Sequence, residues 1–516
     1  MGRSGQWLLA TGAGLPVLLA RAGDLHESDT FWQVRTGELI LDRHRLPTVD
    51  PFSWTAAGRP WALNSWLFDV LLGAAYRLGG LPAVALFAAL VGLLGTAALV
   101  LLARELGATP AASGLAAAVA SIALIDWLGG RPQLADYAAV PALLVLLLRW
   151  HRPVLPPRRP CSCGAGCVRF CPALSPPQLQ DRRGLGVLAA IGGLHVLWVN
   201  LHSSAPLGVG LCAAFAAAHV LGGRRSMRGH PPVSGPRGGE RRWVRVVAPT
   251  VVAGVSVLVN PWGVGVLARG AAVRRESAGL VQEWGPPDLT EWSQVLPLIV
   301  AIAGCALASC AARPRGAGRR GGRAGAPVPA TDRTFPVGVA LCAVGLTGVG
   351  GLMLRFVPVA AVVGAAVIAV ALSSPRVRAW AAERRVVLGG GAVAGVAALS
   401  ALAVPALTHL GRPEVEPRLL DALPSGCRLL NEYILGGHVI LRRPDVPVSL
   451  DSRNDVYGAA EVRRLQGAFD VPDERTMRGV TCVLSRTDRR LAEVLRDDPG
   501  WRTAATGGGV VIYVRA

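Results

Sequence analysis

The sequence predicts an α-helical polytopic membrane protein of about 11 transmembrane helices carrying a small C-terminal α/β domain. Three observations lead there. Of 516 residues, 52% are hydrophobic and only 17% charged, and the mean hydropathy is +0.42, a balance suited to a chain solvated largely by lipid. Apolar stretches of spanning length recur from the N-terminus to about residue 406. Four Arg-rich blocks interrupt them, and one orientation puts all four on the same side of a bilayer.

The apolar stretches fall at 6–21, 82–103, 112–129, 133–150, 184–200, 205–221, 244–262, 295–312, 334–351, 355–373 and 386–406. The first follows an early Arg3, and a small-residue cleavage site can be drawn near Ala20-Arg21-Ala22, as in a signal peptide. With so many apolar segments following, an uncleaved first span is the better reading. The stretch 66–78 is short and carries Asp69 and Arg77, which predicts a helix lying on the membrane surface. The basic blocks are 151–183, 222–243, 313–333 and 376–385. Short Arg-rich loops stay in the cytoplasm. Counting crossings with 66–78 at the interface satisfies all four blocks and makes the N-terminus cytoplasmic. The loop 22–80, the connection 263–294 and the tail are then extracytoplasmic.

This topology also accounts for the net charge of +20 and the pI of about 11.0. All 53 basic residues are Arg, and they sit between apolar runs, so nucleic acid is not an expected partner; the bilayer is. Two basic loops, with PPRRPCSCGAGC and RPRGAGRRGGRAGAPVPA, are low in complexity and read as cytoplasmic insertions. The predicted division is a membrane domain, 1–410, with outer loop 22–80, and an extracytoplasmic α/β domain, 411–516. In the tail, VILRRPDVPVSLDSRNDVY alternates strand-like and turn-like pieces. The stretches 461–469 and 489–496 read as helices, and TCVLS and GGVVIYVRA as buried strands.

On the predicted outer face, charged and polar side chains converge from separate parts of the chain. Asp24, Glu27, Asp29 and Asp50 lie in the first outer loop. Asp126 and Arg131 lie at the next outer turn, and Asn200 and His202 at the one after. Glu276, Glu283 and Asp288 follow NPWG, and Arg355 opens the span in MLRFVP. Ionisable groups near membrane depth usually serve a site or a partner. Each also has a plainer reading. A loop carboxylate is often just solvated, Arg131 and Arg355 suit snorkelling to headgroups, and His202 suits a bond to a neighbouring helix. Phe31 and Trp32 follow Asp29 closely and set it apart, since they can hold it against the interface. Both signs on one face suit a site that uses a carboxylate and stabilises a phosphate.

Cys161, Cys163, Cys167 and Cys171 are close enough to bind Zn, but their spacing is not a paired C-x2-C and they sit in a Pro/Arg-rich insertion. Cys427 and Cys482 lie near predicted strands of the tail and can pair if those strands are neighbours. No Walker motif, GxSxG elbow, HExxH or strand-linked Rossmann fingerprint is present, which argues against nucleotide, serine or zinc hydrolysis.

SDTFWQVRTGELI followed by LPTVDPFSWTAAGRPWALNSWL resembles the first outer loop of the GT-C membrane glycosyltransferases. More closely it resembles a bacterial branch with D-x-x-W-x-x-x-x-G and DPFS motifs. GRPQLADY, WVNLHSS, VNPWG, VQEWGPP, MLRFVP, LNEYILGGHVILR and VSLDSRNDVYG recur in that branch in the same order. The resemblance implies a GT-C-like fold and an enzyme that moves a sugar from a polyprenyl-phosphate carrier to a cell-envelope acceptor outside the cytoplasmic membrane. It implies Asp29 as the catalytic carboxylate, acting as base or supporting a divalent metal. Asp50, Arg131, His202, Glu283 and Arg355 are then the expected substrate-binding residues, with the two arginines facing the phosphate. Two positions depart from the pattern: Thr30 stands where relatives often carry a second acid, and Gln33 where the branch often has His. The rival reading is a non-enzymatic scaffold or a transporter of lipid-linked glycans. A transporter calls for broken helices and charges near mid-membrane, whereas these charges lie at the ends of spans.

Overall fold

The computed structural model describes residues 2–151, 182–226, 236–312 and 336–516. The four-cysteine cluster, and most of the Arg-rich blocks before residue 336, lie outside the described residues. The chain opens with α1 (Arg3–Gly12) and α2 (Leu15–Arg21), then β1 (Asp24–Leu25), α3 (Ser28–Arg43) and α4 (Trp66–Leu106). The bundle continues through α5 (Pro110–Ala123), α6 (Leu134–Trp150), α7 (Arg182–Leu201), α8 (Pro206–Ser226) and α9 (Pro236–Val257). After them come α10 (Gly265–Ser277), α11 (Trp292–Ala312), α12 (Val337–Leu352), α13 (Val357–Leu372), α14 (Pro375–Glu383) and α15 (Arg385–Thr408).

Among the described residues, four helices are long and apolar enough to cross a membrane: Trp66–Leu106, Gly184–Leu201, Trp292–Ala312 and Leu354–Leu372. Several of the other expected spans form apolar helices of under 18 residues. The expected span 6–21 is two helices meeting at Ala13 and Gly14. The expected surface helix 66–78 leads into the next apolar run, and the two pieces meet at a break at Gly79 and Gly80, where Gly80 takes φ +64°, a conformation only Gly adopts without strain. The bundle core is small-residue rich, with Ala85, Ala103, Ala117, Ala361 and Ala366 among larger Leu and Val. Small side chains let helices approach closely where lipid removes the hydrophobic drive between them. At Gly304 and Gly364 the backbones of α11 and α13 leave no room for a Cβ.

The tail forms a second core. A four-stranded sheet has the order β3 (Leu429–Asn431), β4 (Cys482–Arg486), β6 (Val510–Arg515), β5 (Trp501–Gly507); β3–β4 is parallel and the other pairs antiparallel. Cys482 pairs in register with Leu429, two residues from Cys427, and the two cysteines are joined as a disulfide. The expected strand-like VILRR is instead the end of a helix, α16 (Gly436–Arg442), whose small Gly436 and Gly437 face backbone of Leu450 and Ser28. A short parallel pairing of β1 with β2 (Arg412–Pro413) ties the first loop to the start of the tail.

The first loop, residues 22–80, is not an appendage of the bundle. Trp32, Ile40, Ala56, Trp61 and Leu63 belong to the same core as the C-terminal sheet. Trp54 N–H donates to the Val448 carbonyl, and Val448 N–H returns a bond to the Phe52 carbonyl, both at 3.1 Å. The segment 28–43, expected only as polar loop, is a helix because it is wedged between that core and α4. It buries Thr30, Gln33 and Thr36 as well as Phe31 and Val34.

Candidate active site

Asp29 lies in the first turn of α3, where the helix dipole favours an anion. Three residues on, Trp32 occupies the same helix face, and its Nε1–H points to Asp29 Oδ1 at 3.4 Å. Oδ1 also accepts from the Ser452 hydroxyl of the C-terminal domain. The other oxygen, Oδ2, lies 3.3 Å from Arg131 Nη2.

Arg131 arrives on the Gly-Gly-Arg-Pro turn between α5 and α6. A Cβ at Gly129 would run into the Glu27 carboxylate, and one at Gly130 would lie 3.1 Å from Thr30. The Thr30 hydroxyl donates to the Gly130 carbonyl at 3.1 Å. The two glycines therefore let the turn lie directly on α3 and deliver Arg131 beside Asp29. Nη1 of Arg131 is ion-paired to Glu283, so one guanidinium joins two carboxylates. Burial works to neutralise both partners, but the pairing outweighs it. Arg131 is held above its ordinary value by Glu283 first and Asp29 second, and Glu283 is held below the usual carboxylate range by Arg131.

Glu283 and Arg355 each sit on a single 3-10 turn, Gln282–Trp284 and Leu354–Phe356. The Leu354 N–H donates to the Gly285 carbonyl at 2.8 Å and fastens one turn to the other. Arg355 thereby stacks over Trp284, its guanidinium carbon 4.0 Å from the ring centroid. The stack holds the guanidinium by its face and leaves its N–H edge for an anion.

His202 follows α7, and its Nδ1 lies 2.9 and 3.0 Å from the two carboxylate oxygens of Asp136. Asp136 also accepts from Trp198 Nε1 at 2.7 Å and from the Ser204 hydroxyl at 2.5 Å. The carboxylate sits in the first turn of α6, again at a favourable helix end. Asp136 lies just past Arg131, where the Leu134 N–H donates to the Arg131 carbonyl at 3.1 Å, so this buried network adjoins the first cluster.

Of the expected site residues, Asp29, Arg131, Glu283 and Arg355 come together, and His202 joins them through the neighbouring network. Asp50 does not. Its Oδ1 pairs with Arg453 Nη2 at 2.8 Å, with both side chains sealed from solvent, and its oxygens also accept from the Phe52 and Ser53 N–H groups. The structure thus places Asp50 in a turn and an ion pair rather than in an open site. Of the other acidic residues, Glu27 pairs with Arg21, Asp288 caps its own turn at Thr290, and Glu276 accepts from the Ala459 N–H. Sequence reasoning missed Asp136, Trp284 and Ser452. Asp136 carried a signal, because it is an acid inside the apolar run 133–150. Ser452 had none, since its neighbours Asp451 and Arg453 are louder and are both buried.

The donor set does not fit a divalent ion. Among the described residues, no three His, Cys, Asp or Glu side chains come together to hold one. Between Asp29 and Glu283 stands Arg131, and the second acid of the resembled pattern is replaced by Thr30, whose hydroxyl is committed to a carbonyl.

The fold and the site define a class: a helical bundle with spanning helices, a C-terminal α/β domain, and a carboxylate–guanidinium cluster where the two meet. The archaeal oligosaccharyltransferase AglB from Archaeoglobus fulgidus, in complex with an inhibitory peptide and a dolichol-phosphate, superposes with a TM-score of 0.60 at 13% identity, over 94% of this chain and 69% of that one. ArnT from Cupriavidus metallidurans, bound to undecaprenyl phosphate, gives 0.57 at 14% identity over 100% of this chain and 99% of its own. A further Archaeoglobus fulgidus oligosaccharyltransferase structure, in complex with Zn and sulfate, gives 0.55 at 13% identity over 93% and 68%. These are GT-C glycosyltransferases, and at these identities the likeness is one of fold. No protein-family model and no curated protein matches the sequence. The likeness to the DPFS-containing bacterial branch rests on the sequence motifs alone.

Proposed function

We propose that the protein is a membrane glycosyltransferase that moves a sugar from a polyprenyl-phosphate carrier to an acceptor on the outer face of the cytoplasmic membrane. The observation that carries this reading is the Asp29–Arg131–Glu283–Arg355 cluster, built where the bundle meets the C-terminal domain, in a fold shared with transferases solved with dolichol-phosphate and undecaprenyl phosphate. Chemistry of this kind needs an acceptor for one proton and a cation for one leaving phosphate. Asp29 takes the proton of the acceptor hydroxyl as its oxygen bonds the sugar's anomeric carbon. The bond from that carbon to the phosphate oxygen breaks, and the electron pair stays on the phosphate. Arg355, stacked and without a carboxylate bound to it among the described residues, meets that charge, with Arg131 beside it. Glu283 and His202 line the acceptor side. No step uses a metal, since Arg131 takes the place a cation would hold between the carboxylates.

The test is transfer of label from radiolabelled polyprenyl-phosphate sugars in membranes containing wild type or Asp29→Asn. Wild type is expected to move label to an acceptor and Asp29→Asn to lose that activity at equal expression. Activity that survives the substitution removes Asp29 from the mechanism. Absence of transfer from any donor by folded wild type overturns the enzyme reading.

A further inference from the structure

Asp29 is gripped by a residue of the C-terminal domain. We infer that Ser452 is a positioning residue for Asp29, and that the C-terminal domain is thereby a working part of the transfer site; the inference rests on the glycosyltransferase reading.

A carboxylate on its own turns easily about its last torsion, and a base must present one defined lone pair. Here Trp32 Nε1–H donates to Ser452 Oγ at 3.0 Å, and Ser452 Oγ–H donates onward to Asp29 Oδ1. The chain of donors polarises in one direction and ends on the carboxylate. It occupies Oδ1 and leaves Oδ2 on the side of Arg131 and Glu283. Ser452 is itself held tightly. Its carbonyl accepts from the Tyr433 hydroxyl at 3.2 Å. On one side of it Asp451 is 0% exposed, and on the other Arg453 is 2% exposed. Those two are bound to each other through the Arg453 N–H at 2.9 Å and through its guanidinium at 2.8 and 2.6 Å. The Tyr457 hydroxyl adds a bond to Asp451 at 2.6 Å, and Arg453 reaches across to Asp50 of the first loop. A buried ionic knot in one domain thus fixes the hydroxyl that orients the carboxylate of the other. Ser452 is only half-buried, so truncating it opens no sealed cavity.

Were this bond mere glue between domains, its loss would change stability and leave turnover alone. The test compares wild type, Ser452→Ala and Ser452→Thr for kcat and KM with radiolabelled polyprenyl-phosphate sugar, alongside melting temperature in detergent. Ser452→Ala is expected to lower kcat about 10- to 100-fold, as for loss of one hydrogen bond to a charged group, with KM for the donor and the melting temperature unchanged. Ser452→Thr keeps the hydroxyl and should restore most of kcat. A Ser452→Ala protein with wild-type kcat, or a Thr variant as slow as Ala, overturns the positioning role while leaving the transferase reading intact. No transfer by folded wild type overturns that reading, and the inference with it.

Discussion

Arg131 decides the electrostatics of the cluster, because among the described residues it alone is ion-paired to both Asp29 and Glu283. Replacing it by Gln leaves Glu283 with burial, which favours its neutral form, and without the partner that outweighs burial. Breaking a buried pair of this kind costs about 3 kcal/mol, the low end of the usual range, since some solvent reaches this one. The sign with pH follows. The folded value of Glu283 is depressed, so the stability its ionisation contributes is complete above the ordinary Glu range and is lost as pH falls through the lower, folded value. In Arg131→Gln burial is no longer outweighed, the folded value of Glu283 rises, and this loss of stability on acidification should disappear. Melting temperatures measured in detergent across the acidic range check it. A double-mutant cycle adds a second check: Arg131→Gln should cost less in a Glu283→Gln background, where only Asp29 is left without its partner. Equal costs in both backgrounds would mean the pair is not coupled.

At the scale of elements, α3 matters most, and it was the least legible. Its sequence lacks the one-sided apolar period by which helices are read, because the segment is covered on several sides and buries Thr30, Gln33 and Thr36 together with Phe31 and Val34. The apolar runs of the bundle were legible for the opposite reason: lipid requires long uncharged stretches whatever the helices do to one another. What holds α3 in place is a close approach to α4, where a Cβ on Gly37 would overlap the Asp69 carbonyl and one on Gly73 would meet the Gly37 backbone at 2.7 Å. Neither obstacle is a side chain that can swing away. Gly37→Ala should therefore displace α3, lower the yield of monodisperse protein and abolish any activity that depends on Asp29. Gly254→Ala, in a helix where a Cβ meets nothing within 4 Å, should be neutral or gain the roughly 0.5–1 kcal/mol that Ala holds over Gly in helices. Size-exclusion profiles and melting temperatures of the two variants separate these outcomes. Tolerance of Gly37→Ala would show that α3 is not docked this closely.

Over the whole molecule, the sequence divided the chain into a membrane part and a tail, while the structure joins them through the first loop. Motif order made the cluster of Asp29, Arg131, Glu283 and Arg355 readable, since each lies in or beside a connection between apolar runs. Asp50 was expected to bind substrate, and its ion pair with Arg453, 403 positions later in the chain, was not legible because no local pattern reveals such a partner. The joint is an ion triplet, Asp50–Arg453–Asp451, with the guanidinium also 4.6 Å from the Trp61 ring centroid. A substrate-binding Asp50 and a structural Asp50 predict different things. For the first, Asp50→Asn raises KM or lowers kcat at unchanged stability. For the second, Arg453 loses a charged partner it cannot replace, and the fold weakens by about 3–5 kcal/mol, the cost of breaking a buried pair. We expect the second outcome, with kcat and KM near wild type when assayed well below the melting temperature. Arg453→Met should weaken the fold further, because it strands two carboxylates where Asp50→Asn strands one cation that still holds Asp451. The melting order wild type, Asp50→Asn, Arg453→Met is the expected result. A stable Asp50→Asn protein with impaired donor or acceptor kinetics would return Asp50 to the substrate site.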